Sequence, residues 1–138
     1  MNSALTYLIA IFILGVTKPT LSEILSSQRN LELADSLFKG GHFEQAEEFY
    51  SKILTYDSTN YQATLRLGFI ALLGNQHNEA QKWLSEALRL KTEERTPKRL
   101  LAESYYRQDN FQAAAPLYRA LGREAMARKL VAFKDKPP

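Results

Sequence analysis

The stretch LRLGFIALLGN, residues 65–75, places a glycine in the middle of an apolar run with helical spacing. A glycine inside a helix costs about 0.5–1 kcal/mol relative to alanine. Gly68 therefore predicts a close neighbour that leaves no room for a side chain. Gly74 and Asn75 have a different explanation, because small residues that can adopt a left-handed backbone are typical of helix ends.

Gly68 belongs to a pattern that recurs every 34 residues. Ala34 and Ala102 lie one period before and one period after it. Four further columns have the same spacing: Ala46, Ala80 and Ala114; Leu33, Leu67 and Leu101; Phe43, His77 and Phe111; and Tyr50, Leu84 and Tyr118. Several columns at one period indicate an internal repeat, which is the signature of a solenoid.

The periodicity within each repeat is helical, and no segment has the two-residue alternation of a strand. Thr20, Asn60 and Thr96 are predicted N-caps, the last followed by Pro97 in the first turn. We therefore expect six helices over the repeats: one from the Thr20 cap to about residue 39, then residues 43–56, 61–73 and 78–90, one after Thr96, and one beginning near Phe111.

This 34-residue helix-turn-helix pattern resembles the tetratricopeptide repeat. The resemblance implies an all-α, right-handed solenoid of about three units, at about residues 27–60, 61–94 and 95–128, within a domain spanning residues 20–134. Small residues fit where helices cross closely, and large apolar neighbours form a continuous core. The expected core residues are Leu37, Phe49, Leu67, Trp83, Leu101 and Tyr105.

The segment REAMARKLVAFK, residues 123–134, follows the third unit and is amphipathic. We expect it to be a C-terminal capping helix that makes the end of the solenoid soluble, with residues 135–138 as a tail. A membrane-surface or partner-binding helix is the alternative. Its predicted apolar residues are Ala125, Met126, Leu130, Val131 and Phe133, and its cations are Arg123, Arg128, Lys129 and Lys134.

The N-terminal segment differs from the repeats. Residues 4–16 are apolar except for Thr6, and Lys18 and Pro19 follow them. This length fits the apolar region of a secretory signal peptide better than the roughly 20 residues of a membrane span. No basic residue precedes the run, so an uncleaved anchor and a buried helix remain alternatives. We expect residues 1–19 to be a signal peptide or membrane anchor, and the protein to be secreted, periplasmic or membrane-anchored.

The net charge of +3 is unevenly distributed. Residues 18–88 carry a net charge of −3, whereas residues 89–138 carry +6. No nucleic-acid recognition motif accompanies this basic part, so we interpret its Lys and Arg residues as a solvated helical surface and expect no nucleic-acid partner.

Residues that could perform chemistry are scarce. The chain has no cysteine and two histidines, His42 and His77, which fall at turns. His77 occupies a column otherwise filled by phenylalanine, so packing is its expected role. No phosphate-binding, dinucleotide-binding, zinc-protease or serine-hydrolase motif is present. The sequence predicts no catalytic residue, no metal site and no cofactor, and therefore a non-enzymatic protein.

The resemblance implies a concave surface lined by the first helix of each unit, where a protein or peptide partner docks. From the first unit it would include Leu31, Asp35, Phe38 and Lys39, and from the third Glu103. Leu31 and Asp35 occupy the positions at which some members clamp a C-terminal carboxylate, so that specificity is not expected. We expect a peptide or helix with an apolar stripe and acidic character. The predicted partner-binding groove is Leu65, Arg66, Phe69, Leu72, Leu73, Arg99, Tyr106 and Arg107.

A second functional class is a region of a larger enzyme. Residues 107–138 resemble the repeat region that precedes a retropepsin-like aspartic protease domain in some bacterial proteins. Such a protease needs an Asp-Thr-Gly or Asp-Ser-Gly loop, and neither triplet occurs in the sequence. These 138 residues are therefore expected to have no peptidase activity of their own.

Membrane contact is expected through residues 4–17 if that segment is uncleaved.

Overall fold

The computed structural model describes residues 20–134, and all regular structure in that range is helical. The predictions for residues 1–19 and for the tail at 135–138 lie outside the described residues. Within the described range, no helix is both long enough and apolar enough to cross a membrane. The helices are α1 (Leu21–Lys39), α2 (Phe43–Tyr56), α3 (Tyr61–Leu73), α4 (His77–Leu90), α5 (Arg95–Arg107), α6 (Phe111–Ala120) and α7 (Glu124–Lys134).

The helices pack in the order in which they occur along the chain. Each one contacts the next, and α3 also contacts α5. This arrangement gives three helix-turn-helix pairs, α1–α2, α3–α4 and α5–α6, with α7 against α6. The predicted all-α helical repeat fold is confirmed.

The turn within each pair repeats the same backbone geometry. A residue in the left-handed region closes the first helix: Gly41 (φ 78°), Asn75 (φ 56°) and Asp109 (φ 54°), each 34 residues from the next. The following N–H donates to the carbonyl five residues earlier, at 2.8–2.9 Å. This is the Schellman arrangement, which satisfies carbonyls that the helix end leaves unpaired. Gly122 (φ 77°) ends α6 in the same way.

The helices that follow the connections between pairs differ in whether a side chain caps their N-terminus. Asn60 caps α3 as predicted, because its side-chain oxygen accepts a hydrogen bond from the Ala63 N–H at 3.1 Å. The prediction of Thr96 as an N-cap is wrong, since α5 already begins at Arg95 and has no side-chain cap. Pro97 is the third residue of α5, where a missing N–H breaks no helical hydrogen bond, and its ring is buried.

The small-residue columns lie at buried helix contacts. A Cβ atom on Gly68 would lie 2.7 Å from Cγ and 3.2 Å from the backbone nitrogen of Leu84. The predicted neighbour of Gly68 is therefore α4, the second helix of its own unit. The alanines of both columns are fully buried: Ala34, Ala46, Ala80, Ala102 and Ala114.

The core continues along the array as three adjoining clusters, each built from consecutive helices. Leu67 and Leu101 are buried as predicted, but Leu33 in the same column is 44% exposed. Leu67 packs into the cluster of the preceding pair, and no described pair precedes α1. The other predicted core residues are half-buried at the margins of the clusters: Leu37, Phe49, Trp83 and Tyr105.

The apolar face of α7 differs from the prediction. Ala127 and Leu130 are buried against α6, with Met126 beside them. Ala125, Val131 and Phe133 were assigned to that face, but all three are exposed. The reason is the helical rotation set by the turn at Gly122, which places residues 126, 127 and 130 against α6. The Phe133 ring lies at the edge of the contact, 5.9 Å from the ring of Phe111.

Candidate functional site

The predicted groove residues lie on α3 and α5, the first helices of the second and third pairs. On α3, the side chains of Leu65, Arg66 and Phe69 are half-buried. On α5, Arg99, Tyr106 and Arg107 are exposed. Since α3 contacts α5 directly, the two sets belong to adjacent helices. We call these six residues the first-helix surface.

The structure does not place all of the predicted groove residues on this surface. Leu72 is 3% exposed and packs with Leu100 and Leu101 in the cluster that joins α3, α4 and α5, so its assignment to the groove is wrong. Leu73 is 46% exposed, at the end of α3. It lines a cleft with Phe43 at the start of α2.

Asp35 of α1 is the centre of a polar network beneath the first-helix surface. The Tyr50 hydroxyl donates to one carboxylate oxygen at 2.6 Å, and the Gln62 side-chain amide donates to the other at 2.5 Å. The Arg66 guanidinium lies 3.7 Å from the same carboxylate. Since both oxygens have partners, Asp35 connects α1, α2 and α3 and is not free to bind an incoming ligand.

Glu103 of α5 has a comparable role in the third pair. Arg107 donates to its carboxylate at 2.7 Å, and Arg99 lies 3.9 Å from it on the preceding turn. The two arginines thus bracket one acid along a single helix face. Exposed pairs of this kind contribute only a few tenths of a kcal/mol to helix stability. Their main effect here is to reduce the net positive charge of the first-helix surface.

Aromatic residues of this surface contact aromatic rings on two other helices, α1 and α6. Phe69 lies 5.7 Å from the ring of Phe38 on α1, and the Arg66 guanidinium lies 4.5 Å above the same ring. On the other side, Tyr106 lies 5.8 Å from Phe111 of α6. The surface therefore combines apolar area with guanidinium N–H donors at its edge.

Acidic residues on first helices help to raise the pKa of two tyrosines on second helices. Burial and the hydrogen bond to Asp35 raise the pKa of Tyr50 well above its usual range. Burial, together with the charge of Glu103, raises the pKa of Tyr118. Tyr50 and Tyr118 lie in one repeat column, and Asp35 and Glu103 lie in another. Both tyrosines therefore stay protonated at neutral pH.

Comparison with known proteins agrees with this architecture. A model described as the tetratricopeptide repeat matches residues 37–103, just under half of the chain. The family that the match supports is the tetratricopeptide repeat. No curated protein matches the sequence.

Two solved structures of tetratricopeptide repeat domains have a similar fold. The TPR domain of Arabidopsis OM64 superposes with a TM-score of 0.65 at 16% identity, over 78% of this chain and 92% of that one. The Sgt2 TPR domain from Aspergillus fumigatus gives 0.68 at 15% identity, over 87% of each chain. At these identities the likeness concerns the fold alone. The resemblance to the repeat region of retropepsin-like proteins is not tested by these matches and stays a prediction.

Outside the first-helix surface, the helical repeats contain few groups suited to chemistry. Among residues 20–134, no three His, Asp or Glu side chains lie close enough to hold a metal ion. His42 is exposed at the first turn. His77 is half-buried where α4 begins, and its Nδ1 atom is buried without a hydrogen-bond partner. Its backbone carbonyl lies 3.4 Å from the Ser104 hydroxyl.

Sequence reasoning missed two features of these repeats. The first is the Asp35 network, which the columns of Tyr50 with Tyr118 and of Asp35 with Glu103 could have indicated. The second is a cleft between the first two turns, where Glu44 and Glu47 lie beside Leu73. The next unit carries neutral side chains at the positions of these two acids, and that difference along the repeat was the available signal.

Proposed function

We propose that the chain is a non-catalytic protein-binding module that docks a peptide or helix on its first-helix surface. The observation that carries this proposal is the position of Leu65 and Phe69, half-exposed apolar side chains on the middle first helix. Arg66 on the same helix, and Arg99 and Arg107 on the neighbouring α5, add guanidinium groups to this surface. A tetratricopeptide repeat array is typically a binding scaffold, and its concave side offers extended area to a partner.

The preferred ligand in this proposal is an amphipathic segment with carboxylates at its edge. The apolar side chains of α3 and the ring of Tyr106 would accept its apolar stripe. Asp35 and Glu103 already pair with arginines, so the acids of the surface are neutralised within the protein. The arginines keep unpaired N–H donors that a carboxylate could accept from.

The proposal includes delivery of this module by the N-terminal segment. Residues 4–16 support either export with cleavage or retention at a membrane, since the run is apolar and ends at Lys18. The mass of the mature protein after cell fractionation separates the two. A soluble product that lacks about 17 residues indicates a cleaved signal, whereas an intact chain in the membrane fraction indicates an anchor. An intact chain in the soluble fraction contradicts both.

The binding proposal is tested by affinity capture from cells that produce the protein. The surface variant Leu65→Ser with Tyr106→Ser removes apolar contact area from both first helices. The matched control, Leu33→Ser with Tyr56→Ser, makes the same chemical changes at exposed positions of α1 and α2. Partners that the wild type and the control retain should be lost from the surface variant.

Helicity by circular dichroism is measured for both variants, because Leu65 also packs against the core. A surface variant with unchanged helicity that captures the same proteins in the same amounts as the wild type contradicts the proposal.

A further inference from the structure

A cleft opens along the side of the array where the turns within pairs lie. It lies between the start of α2 and the end of α3 and has a volume of about 520 Å³. Ile70 and Leu73 supply apolar surface from α3, and Phe43 supplies it from α2. We call it the turn-edge cleft; its lining residues are Phe43, Glu44, Glu47, Ile70, Leu73, Gly74 and Gln76.

The corresponding position one unit later is bridged by polar side chains. There the Gln81 side-chain amide donates to Gln108 Oε1 at 2.7 Å and lies 3.4 Å from the Ser104 hydroxyl. The Gln108 amide in turn lies 3.4 Å from Asn78 Oδ1. These bonds link the start of α4 to the end of α5. A cleft of about 540 Å³ lies there too, but its lining is mainly polar: Asn75, Gln76, His77, Asn78, Glu79 and Gln108.

None of those bridging side chains has a counterpart in the turn-edge cleft. Thirty-four residues earlier, Glu47 replaces Gln81, Gly74 replaces Gln108 and Ile70 replaces Ser104. Glycine has no side chain to reach across, and isoleucine has no hydrogen-bonding group. The turn-edge cleft thus differs from the cleft one unit later in its apolar floor rather than in its volume.

The carboxylates of this cleft lack partners. Glu44 and Glu47 are one turn apart on α2 and exposed, and neither makes a hydrogen bond or ion pair with the residues that the structure describes. An occupant that complements the cleft would carry two cations next to large apolar side chains. Charge complementarity of this kind selects and orients a partner.

The exposed face of α7 has that chemistry. Arg128 precedes Val131 by three residues, and Lys129 precedes Phe133 by four, so each cation lies one turn from an apolar side chain. Val131 is 48% exposed and Phe133 is 59% exposed. Within residues 20–134, neither Arg128 nor Lys129 has an ion-pair partner. The net charges of −3 and +6 on the two parts of the chain add long-range attraction between copies.

We propose that the turn-edge cleft of one copy binds the exposed face of α7 from a second copy. Glu44 and Glu47 pair with Arg128 and Lys129, and Val131 covers the apolar floor. Phe133 stays against the ring of Phe111, 5.9 Å away. The contact joins two different surfaces. It closes either as a two-fold dimer, in which each copy supplies both surfaces, or head to tail as a ring or a chain of copies.

The test is sedimentation equilibrium of the full chain at low and high ionic strength. We expect self-association that weakens with salt, because the pairing charges are exposed. The cleft variant, Glu44→Lys with Glu47→Lys, and the helix variant, Arg128→Glu with Lys129→Glu, should each weaken association about tenfold or more. A control with the same charge change as the cleft variant, Glu32→Lys with Glu93→Lys, alters exposed positions outside the cleft lining and should associate like the wild type.

Mixing the two reversed variants provides the decisive measurement. Alone, each variant opposes like charges at the contact; together, the lysines of one cleft face the glutamates of the other variant's α7. We expect the mixture to associate with an affinity near that of the wild type. A wild type that stays monomeric at every concentration overturns the proposal. So does association that neither reversal weakens, or a mixture that fails to restore it.

Discussion

Gly68 shows how one missing side chain sets the distance between two helices. The Leu84 side chain occupies the space into which a Cβ would project, and the backbone of α4 lies directly behind it. The intrinsic helix cost of glycine is offset by this close packing. Gly74 has no such constraint, because the nearest atom to its Cβ position is 3.7 Å away and its φ is −77°.

Substitution by alanine should therefore have opposite effects at the two glycines. We expect Gly68→Ala to lower the free energy of unfolding by about 1–3 kcal/mol, since overpacking outweighs the gain in helix propensity. Gly74→Ala should be neutral or stabilising by less than about 1 kcal/mol. Urea denaturation followed by circular dichroism measures both. Equal effects at the two positions would contradict the packing argument.

At the scale of elements, the three turns within pairs share one backbone conformation but not one residue type. All three place their left-handed residue at the same position, but only Gly41 is a glycine there. Asn75 and Asp109 adopt positive φ at a steric cost that glycine avoids. Asp109 is exposed, and within the described part of the chain its side chain makes no hydrogen bond. The cost at this position therefore has no compensating side-chain contact.

Changing Asp109 should consequently shift stability in a direction set by the backbone. Asp109→Gly is expected to stabilise the protein by up to about 1 kcal/mol, because it relieves the left-handed strain. Asp109→Val should destabilise it by about 1–2 kcal/mol, since a β-branched residue tolerates positive φ poorly. Thermal unfolding of the two variants measures the effect. A valine variant as stable as the glycine variant would rule out strain as the cause.

At the scale of the molecule, neighbouring helix pairs stabilise one another through their direct contacts. The Asp35 network is the polar part of this linkage, since it holds α1 and α2 to α3. Tyr50 is fully buried, and its hydroxyl donates a hydrogen bond to that carboxylate. Its raised pKa means that the folded protein favours the protonated phenol. Its contribution is therefore complete below about pH 10 and decreases as the pH rises further.

Tyr50→Phe should reveal this linkage through pH. At pH 7 we expect the free energy of unfolding to fall by about 1–3 kcal/mol, because the half-buried Asp35 carboxylate loses a charge-assisted hydrogen bond. Above about pH 10 the wild type should lose stability more steeply than the variant, so that the difference narrows. Tyr61 and Tyr118, whose pKa values are also raised by burial, are present in both proteins and cancel in the comparison. Urea denaturation across this pH range tests the prediction, and a constant difference contradicts it.

The sequence by itself determined the features that depend on residues close together in the chain. Helix type, the bounds of α2 and α3, the Asn60 cap and the 34-residue period follow from local spacing and turn chemistry. The need for a small residue at position 68 also followed, since glycine in a helix is otherwise unfavourable.

Only the tertiary structure decided which side chains on those helices remain accessible to a partner. Leu72 and Leu73 are adjacent, yet the first is buried by α5 and the second lies in the turn-edge cleft. Arg66 and Gln62, both on α3, contact the carboxylate of Asp35 on α1. These outcomes depend on the rotation and separation of neighbouring helices. Packing between units fixes those quantities, and no single segment of sequence contains them.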